Sequence, residues 1–184
     1  DRPYLTMSPG FEAEEVKLFG EMFQKGYIYR GKKPVYWCSH DETALAEAEI
    51  EYADDPCKSI YVKFRVTDDL GRLSAFAPLD KLYFVIWTTT PWTLPGNLAI
   101  SLNANLDYVL AKAPNGEIYI LAKELMAPVA EAAGLENLEI IHEAKGADFE
   151  LMRAKHPLYE RESIILNGDH VSLEAGTGCV HTAP

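Results

Sequence analysis

The sequence predicts a mainly β protein with peripheral helices (α+β) whose strands form a closed or nearly closed β-barrel. Two observations predict it. Six or more short segments show strand-like alternation or β-branched composition, whereas only a few segments show a helical repeat. Closure is favoured because it removes the exposed edges of many short strands. With 184 residues and 48% hydrophobic content, the chain can bury the core of one domain with an appendage.

The amino-terminal part predicts a helix from about residue 9 to 25. Ser8 suits the N-cap, Pro9 the first helical position, and Gly26 the left-handed position after the end. Apolar residues at helical spacing predict that one face packs into a core: Val16, Phe19, Met22 and Phe23. Residues 34–37 then predict a short strand. Residues 44–50 predict a short helix, which strand pairing could override.

From residue 60 the pattern changes to a period of two. Residues 60–66 predict a strand with one buried face, ended by Asp68-Asp69-Leu70-Gly71. A hairpin is predicted where residues 108–113 and 117–122 flank Asn115-Gly116. A helix is predicted at about 124–133, ended by Gly134. Further strands are predicted at 81–87, 138–142, 162–166 and 179–181.

Composition excludes several classes of protein. The chain has 17 basic and 28 acidic residues, a net charge of −11, which disfavours a free-standing nonspecific nucleic-acid binder. Three scattered cysteines argue against a disulfide framework and indicate a reducing compartment. No segment has the apolar length of a membrane span, and the first residues do not resemble a secretory signal. We therefore expect a cytoplasmic parent protein and no membrane partner.

Two polar runs stand out, IWTTTPWTLPGN at 86–97 and GCVHTAP at 178–184. In the first, Pro91 and Pro95 predict a strand that stops and turns. One interpretation makes the threonines strand residues and His181 a hydrogen-bonded core histidine, and residue types alone favour it. The other makes them a pocket that can hydrogen-bond an ester, a ribose and a water. Composition does not choose between the two.

Other motifs predict no chemistry. Cys38-Ser39-His40-Asp41 lacks the second pair of ligands that a zinc site needs, so we expect no metal. Gly176-Thr177-Gly178 lacks the third glycine and the lysine of nucleotide-binding loops. The sequence also lacks a Gly-x-Ser-x-Gly elbow. It therefore offers no obvious protein nucleophile.

The two polar runs carry a family resemblance. IWTTTPWTLPGNLAI resembles the threonine-rich signature of the isoleucyl-tRNA synthetase editing domain, and GTGCVHTAP resembles the start of its second signature. PYLTM, GYIYRGKKPVYW and TALAEAEIEY resemble the segments by which this insertion leaves the synthetic domain. Valyl and leucyl relatives carry Thr-Thr-Arg-Pro where this chain has Thr89-Thr90-Pro91-Trp92. The resemblance is to a bacterial-type isoleucyl enzyme.

The resemblance implies an organisation and a function. It divides the chain into a connector, residues 1–52, and an editing β-barrel of the valyl/isoleucyl/leucyl type, residues 53–184, truncated at its C-terminal end. It implies hydrolysis of mischarged valyl-tRNA(Ile) with exclusion of isoleucine. The alternative is a noncatalytic module that docks the tRNA acceptor end or connects parts of a larger enzyme.

The resemblance also implies the site. Thr88, Thr89 and Thr90 would be catalytic, with Trp92, Thr93, His181 and Thr182 binding substrate and His181 bounding the side-chain pocket. A water positioned by threonine hydroxyls and the terminal ribose hydroxyl would attack the ester without a covalent intermediate.

The resemblance further implies the partners and cofactors. The partners are the 3′ end of tRNA(Ile) carrying valine and the remainder of the synthetase. No cofactor or metal is expected in the editing domain; the parent enzyme uses ATP, and any zinc it holds lies elsewhere. The ATP-binding signatures of class I synthetases are absent from the sequence, so this piece alone should not charge tRNA. The family's ammonium-binding Asp follows the last residue here, so we expect the piece alone to fold but to be impaired.

Overall fold

The computed structural model describes residues 3–184 of the chain. The described chain divides into two compact units, a first one that ends at residue 54 and a second one of residues 55–184. The roles that the resemblance implies for the two parts, connector and editing domain, stay predictions.

The first unit contains helix α1, Pro9–Gln24, close to the predicted range. Gly26 takes the left-handed conformation expected after the helix, with φ 76°. The Ser8 hydroxyl makes no capping hydrogen bond, and the predicted core face is wrong because no residue of α1 is buried. Phe19 and Phe23 are 59% and 60% exposed. An apolar repeat identifies a face that can be covered, but it does not identify what covers it.

The rest of the first unit is a small hairpin. Strand β1, Tyr36–Cys38, pairs antiparallel with β2, Thr43–Leu45. The predicted helix at 44–50 is wrong: the segment forms β2 and then a 3-10 turn, Glu47–Glu49. Cross-strand pairing outweighs the helical propensity of so short a segment.

The second unit is built on one mixed sheet of nine strands. The strands are β3 (Ile60–Asp68), β4 (Leu82–Thr88), β5 (Ala99–Leu102), β6 (Asp107–Lys112), β7 (Ile118–Ala122), β8 (Glu139–Lys145), β9 (Arg153–Lys155), β10 (Glu162–Asn167) and β11 (Val180–Thr182). Their order is β11-β5-β10-β9-β3-β4-β7-β6-β8. The β4–β7 and β5–β10 pairs are parallel, and the other neighbours are antiparallel.

The predicted closed or nearly closed barrel is wrong. In the part of the chain that the structure describes, the sheet runs from β11 to β8, and no ladder joins these two strands. The edges are managed by other means. Strand β11 has only three residues, and β8 carries charged side chains, of which Glu143 and Lys145 form ion pairs. Short and charged edge strands resist edge-to-edge association without closure.

The local predictions for the second unit were largely confirmed. Strands β6 and β7 pair across Asn115-Gly116, with Lys112 opposite Ile118, and Gly116 has φ 83°. The predicted helix at 124–133 begins with a 3-10 turn, Lys123–Leu125, and continues as α2, Met126–Ala132. The short strands β5 and β9 were not predicted. No helix among residues 3–184 is long and apolar enough to cross a membrane.

The core lies against β3, β4, β6 and β7. Phe64, Phe84, Tyr108 and Phe149 are fully buried. Phe149 packs edge-on against Phe84 and Tyr108, with ring centroids 5.9 and 5.8 Å apart. On β3 the predicted buried face holds at Phe64 and Val66, whereas Ile60 at the strand's start is 36% exposed. Strand β4 is buried along most of its length and ends at Thr88, where the polar run begins.

Candidate functional site

The two polar runs lie side by side. Between the end of β4, the turn that follows it and strand β11 lies a cavity of about 280 Å³. Its lining residues are Trp87, Thr88, Thr89, Thr90, Thr93, Val180, His181 and Ala183. Five of the seven predicted site residues are therefore brought together. Trp92 lies outside the lining and is 73% exposed, and the Thr182 hydroxyl lies 2.9 Å from Ser101 Oγ instead.

The turn after β4 forms because its residues cannot extend the strand. Pro91 and Pro95 have no N–H to donate to a ladder, and the chain instead forms a 3-10 helix, Pro91–Gly96. Within it, the Thr93 hydroxyl donates to the carbonyl of Thr90 at 2.8 Å. This turn places Thr93 opposite β11.

The threonines of the run are not equivalent. Thr88 is 7% exposed, and its hydroxyl oxygen accepts the backbone N–H of Thr90 at 3.0 Å. The Thr88 and Thr90 hydroxyls also lie 3.2 Å apart. Among residues 3–184, the Thr89 hydroxyl makes no hydrogen bond. Thr88 and Thr90 are therefore hydrogen-bonded to each other. The Thr89 hydroxyl is left able to form a hydrogen bond with a bound molecule.

Both ring nitrogens of His181 are hydrogen-bonded. Nε2 lies 2.9 Å from Thr93 Oγ1, and Nδ1 lies 2.6 Å from Asn97 Nδ2. The orientation of the Asn97 amide is determined, because Nδ2 also donates to the Ala99 carbonyl at 2.9 Å while Oδ1 accepts from Ser163 Oγ at 2.5 Å. A reversed amide would bring its oxygen against that carbonyl. His181 Nδ1 is therefore an acceptor, and the ring proton is on Nε2.

The surroundings keep His181 neutral. Burial lowers the pKa of His181 below its ordinary value of 6.5. Protonation of Nδ1 would also place an N–H against the N–H of Asn97. Nδ1 is occupied and Nε2 carries the proton, so neither nitrogen is available to take a proton from a water molecule. The ring therefore forms a wall of the cavity.

Sequence reasoning missed two residues of this site. Asn97 and Ser163 are both fully buried, and together they orient His181. The available signal was Asn97 itself, an amide at the end of the threonine-rich run directly before the apolar β5. His181 is half-buried, both of its ring nitrogens are hydrogen-bonded, and its ring lines the cavity, so its role in binding or chemistry stays a prediction.

Among the described residues, no group of three or more His, Cys, Asp or Glu side chains could hold a metal ion. Cys38 Sγ lies 3.4 Å from Asp41 Oδ2. Gly178 has φ 75°, and a Cβ there would lie 2.5 Å from that of Ala122. Close packing against Ala122 therefore requires glycine at position 178.

The fold matches that of known editing domains. The chain aligns to the crystal structure of GlLeuRS-CP1 with a TM-score of 0.56 and 20% identity, over 68% of this chain and 52% of that one. It aligns to the P. knowlesi cytosolic leucyl-tRNA synthetase editing domain with a TM-score of 0.55 and 15% identity, over 70% and 59% of the two chains. These similarities define the class of fold.

Sequence comparison defines the family. The sequence model of the protein family "tRNA synthetases class I (I, L, M and V)" matches residues 1–159, and the chain belongs to this family. It is 59% identical to an isoleucine–tRNA ligase of Thermoanaerobacter sp. (strain X514), over 100% of this chain and 20% of that protein. A Bacillus cereus (strain AH187) isoleucine–tRNA ligase is 53% identical over 100% and 19%. The resemblance to isoleucyl-tRNA synthetase is confirmed, and the chain spans about a fifth of the length of these relatives.

Proposed function

We propose that this chain is the editing part of an isoleucyl-tRNA synthetase and that its threonine-lined cavity hydrolyses the ester of valyl-tRNA(Ile). One observation carries the proposal: a cavity of about 280 Å³ is lined by four threonines and bounded by a neutral, fully hydrogen-bonded His181. Such a cavity offers hydroxyls to an ester and a water, and a rigid wall to a side chain.

The chemistry needs no protein nucleophile. An aminoacyl ester is already an activated acyl group, so a water held in line with its carbonyl can attack it directly. The Thr89 hydroxyl is the threonine group without a partner among the described residues, and together with the terminal ribose hydroxyl it would hold that water. Hydrogen bonds from the threonine run would stabilise the oxyanion as the carbonyl becomes tetrahedral.

Selection would come from the His181 wall. A missing methylene is worth only about 1–3 kcal/mol in an apolar pocket, a figure established for isoleucyl-tRNA synthetase itself rather than derived from this chain. The synthetic site alone therefore mischarges valine. A second cavity that admits valine and excludes isoleucine by volume corrects the error, and a ring fixed by Thr93 and Asn97 is suited to that task.

The remaining needs of the reaction fall to other groups. Among residues 3–184, the cavity lining contains no carboxylate to hold the substrate ammonium, and by resemblance that group would be the Asp that follows the second signature. We propose no cofactor for hydrolysis, ATP for charging by the rest of the synthetase, the 3′ end of tRNA(Ile) as partner, and a cytoplasmic location.

Deacylation assays test the proposal. Valyl-tRNA(Ile) and isoleucyl-tRNA(Ile) are incubated with the full-length synthetase that contains this chain and with the chain alone. We expect the full-length protein to release valine and to spare isoleucine, and the chain alone to be slower. If the full-length protein binds the acceptor end but releases no valine, the noncatalytic docking module is the correct function.

A further inference from the structure

The segment that carries Thr93 and Asn97 is held from its backbone side by two other side chains. His156 and Arg161 belong to the loop between β9 and β10, and both donate hydrogen bonds to carbonyl oxygens of residues 94–97. Neither residue lines the threonine cavity. We call the pair His156 and Arg161 the loop clamp.

His156 has a defined tautomer. It is 1% exposed, and its Nδ1 accepts the backbone N–H groups of Leu158 and Tyr159 at 3.1 and 3.2 Å. The ring proton is therefore on Nε2, which donates to the Leu94 carbonyl at 2.9 Å. The loop itself is closed by the hydrogen bond from His156 N to Arg161 O at 2.9 Å. The donor that meets Leu94 is thus held in place by its own loop.

One nitrogen of the Arg161 guanidinium donates hydrogen bonds to two carbonyl oxygens. Its Nη2 donates to Pro95 O and, at 2.9 Å, to Asn97 O, and the guanidinium carbon lies 5.3 Å from the centre of the Tyr159 ring. Its Nε is buried and, among residues 3–184, has no hydrogen-bond partner. An unpaired buried N–H is unfavourable. The carbonyl contacts and the aromatic contact are therefore what hold this side chain in position.

The clamp and the cavity share one segment. The Asn97 carbonyl accepts from Arg161, its Oδ1 accepts from Ser163, and its Nδ2 donates to His181. If the hydrogen bonds from the loop clamp were lost and the segment moved, Thr93 and Asn97 would move together. Those are the two groups that orient the His181 ring.

We propose that His156 and Arg161 are positioning residues of the editing cavity, which set the place of the His181 wall and thereby the discrimination between valine and isoleucine. The inference rests on the proposed function. It assigns a role in selectivity to residues that touch no substrate.

The test compares Arg161→Met with Arg153→Met in the full-length synthetase. Arg153 lies on the adjacent β9, is half exposed, and forms a surface ion pair with Glu162 at 3.5 Å, so its loss should change little. The measured quantity is the ratio of the valyl-tRNA(Ile) and isoleucyl-tRNA(Ile) deacylation rates. We expect Arg161→Met to lower this ratio by tenfold or more and Arg153→Met to leave it unchanged. Arg161→Lys should recover it in part, since an ammonium can still donate to both carbonyls.

The ratio separates positioning from simple destabilisation. A variant that merely unfolds part of the protein lowers both rates equally, and an unchanged ratio in both Arg161→Met and Arg161→Lys overturns the inference. Nitrogen NMR of His181 gives a second readout that needs no activity, because loss of positioning should replace the single Nε2–H tautomer by a mixture. If the unaltered enzyme releases no valine, the proposed function fails, and a tautomer unchanged in the Arg161 variants overturns the positioning role separately.

Discussion

Two cavities of similar size in the second unit differ in how their polar groups are used. The threonine cavity, about 280 Å³, has hydroxyls and an imidazole in its walls. The other, about 230 Å³, lies between the sheet and α2 and is mainly apolar. Its lining residues are Tyr61, Lys63, Val85, Tyr119, Leu121, Val129, Ala133, Leu135 and Leu138.

At the apolar cavity, the lining residues Lys63 and Tyr119 are hydrogen-bonded to Glu117, which lies outside the lining. Lys63 donates to both oxygens of Glu117 at 2.9 and 2.7 Å, and the Tyr119 hydroxyl donates to the same carboxylate at 2.6 Å. In the threonine cavity, by contrast, buried Asn97 and Ser163 orient His181 from behind, and the Thr89 hydroxyl makes no hydrogen bond to any of the described residues. The two cavities are therefore similar in volume, but the polar groups of the threonine cavity are held by a second layer of hydrogen bonds, as a preorganised site requires.

The largest effect is expected from His181→Ala in the full-length protein. If the ring is a wall, its removal makes room for one more methylene, so the enzyme still removes valine and now strips isoleucine as well. The loss of discrimination should be about tenfold to 200-fold, the range that one methylene supports. Both deacylation rates are measured side by side. If His181 were the general base, both rates would instead fall by ~10²–10⁴-fold with isoleucyl-tRNA still spared.

The second largest effect is expected when hydroxyls are removed from the threonine cavity, because their loss should slow hydrolysis, whereas loss of a hydroxyl from the apolar cavity should not. Thr89→Ala with Thr90→Ala should leave the fold intact and slow valyl-tRNA(Ile) hydrolysis by about tenfold or more, on the order of one lost transition-state hydrogen bond. Tyr119→Phe is the matched control, because it removes one hydroxyl from the apolar cavity and should not change the rate. Equal rates in the double variant and the unaltered protein would return the threonines to a purely structural role.

Neither cavity is expected to bind RNA tightly by charge. The net charge is −11, so few phosphates are neutralised, and the isolated chain should bind tRNA weakly. Between 50 and 200 mM salt, we expect the affinity to fall by less than about tenfold, because the salt dependence scales with the number of phosphate contacts. Fluorescence anisotropy with labelled tRNA measures this, and submicromolar binding at physiological salt would contradict it.

The smallest effects should appear on acidification, at a different pH for His181 of the threonine cavity and for Glu117, the partner of Lys63 in the apolar cavity. Because the pKa of His181 is lowered in the folded protein, the unfolded chain binds a proton at this residue at a higher pH than the folded chain does. The stability that neutral His181 contributes therefore declines as the pH falls below 6.5. The Lys63 ammonium, followed by the Tyr119 hydroxyl, lowers the pKa of Glu117. The stability that ionised Glu117 contributes is therefore present above pH 4.5 and is lost as the pH falls through the lowered pKa.

Thermal unfolding against pH measures both steps. Glu117→Gln should remove only the lower step, and at neutral pH it should cost about 1 kcal/mol or less, because its partner Lys63 is nearly half exposed. A lower step that persists in this variant would show that another carboxylate causes it.

Local chemistry explains which predictions from sequence held. The hairpin at Asn115-Gly116, helix α1 and the stop of β4 before Pro91 each depend on residues that are neighbours in the chain. Pairing partners do not. Strand β5 joins β10 in parallel and β11 in antiparallel fashion, a pairing between distant segments, and that order leaves the sheet open where a barrel was expected.

The same division holds for the site. The residue types of the threonine run and of the second polar run, together with the family to which they belong, were readable in the linear chain, because the chemistry of a signature lies in consecutive residues. The partners of His181 were not. Asn97 and Ser163 are 66 positions apart, and they meet only because β10 packs beside β5. The tautomer of His181 follows from contacts that exist only in the folded molecule, since a hydrogen bond depends on distance and direction rather than on order along the chain.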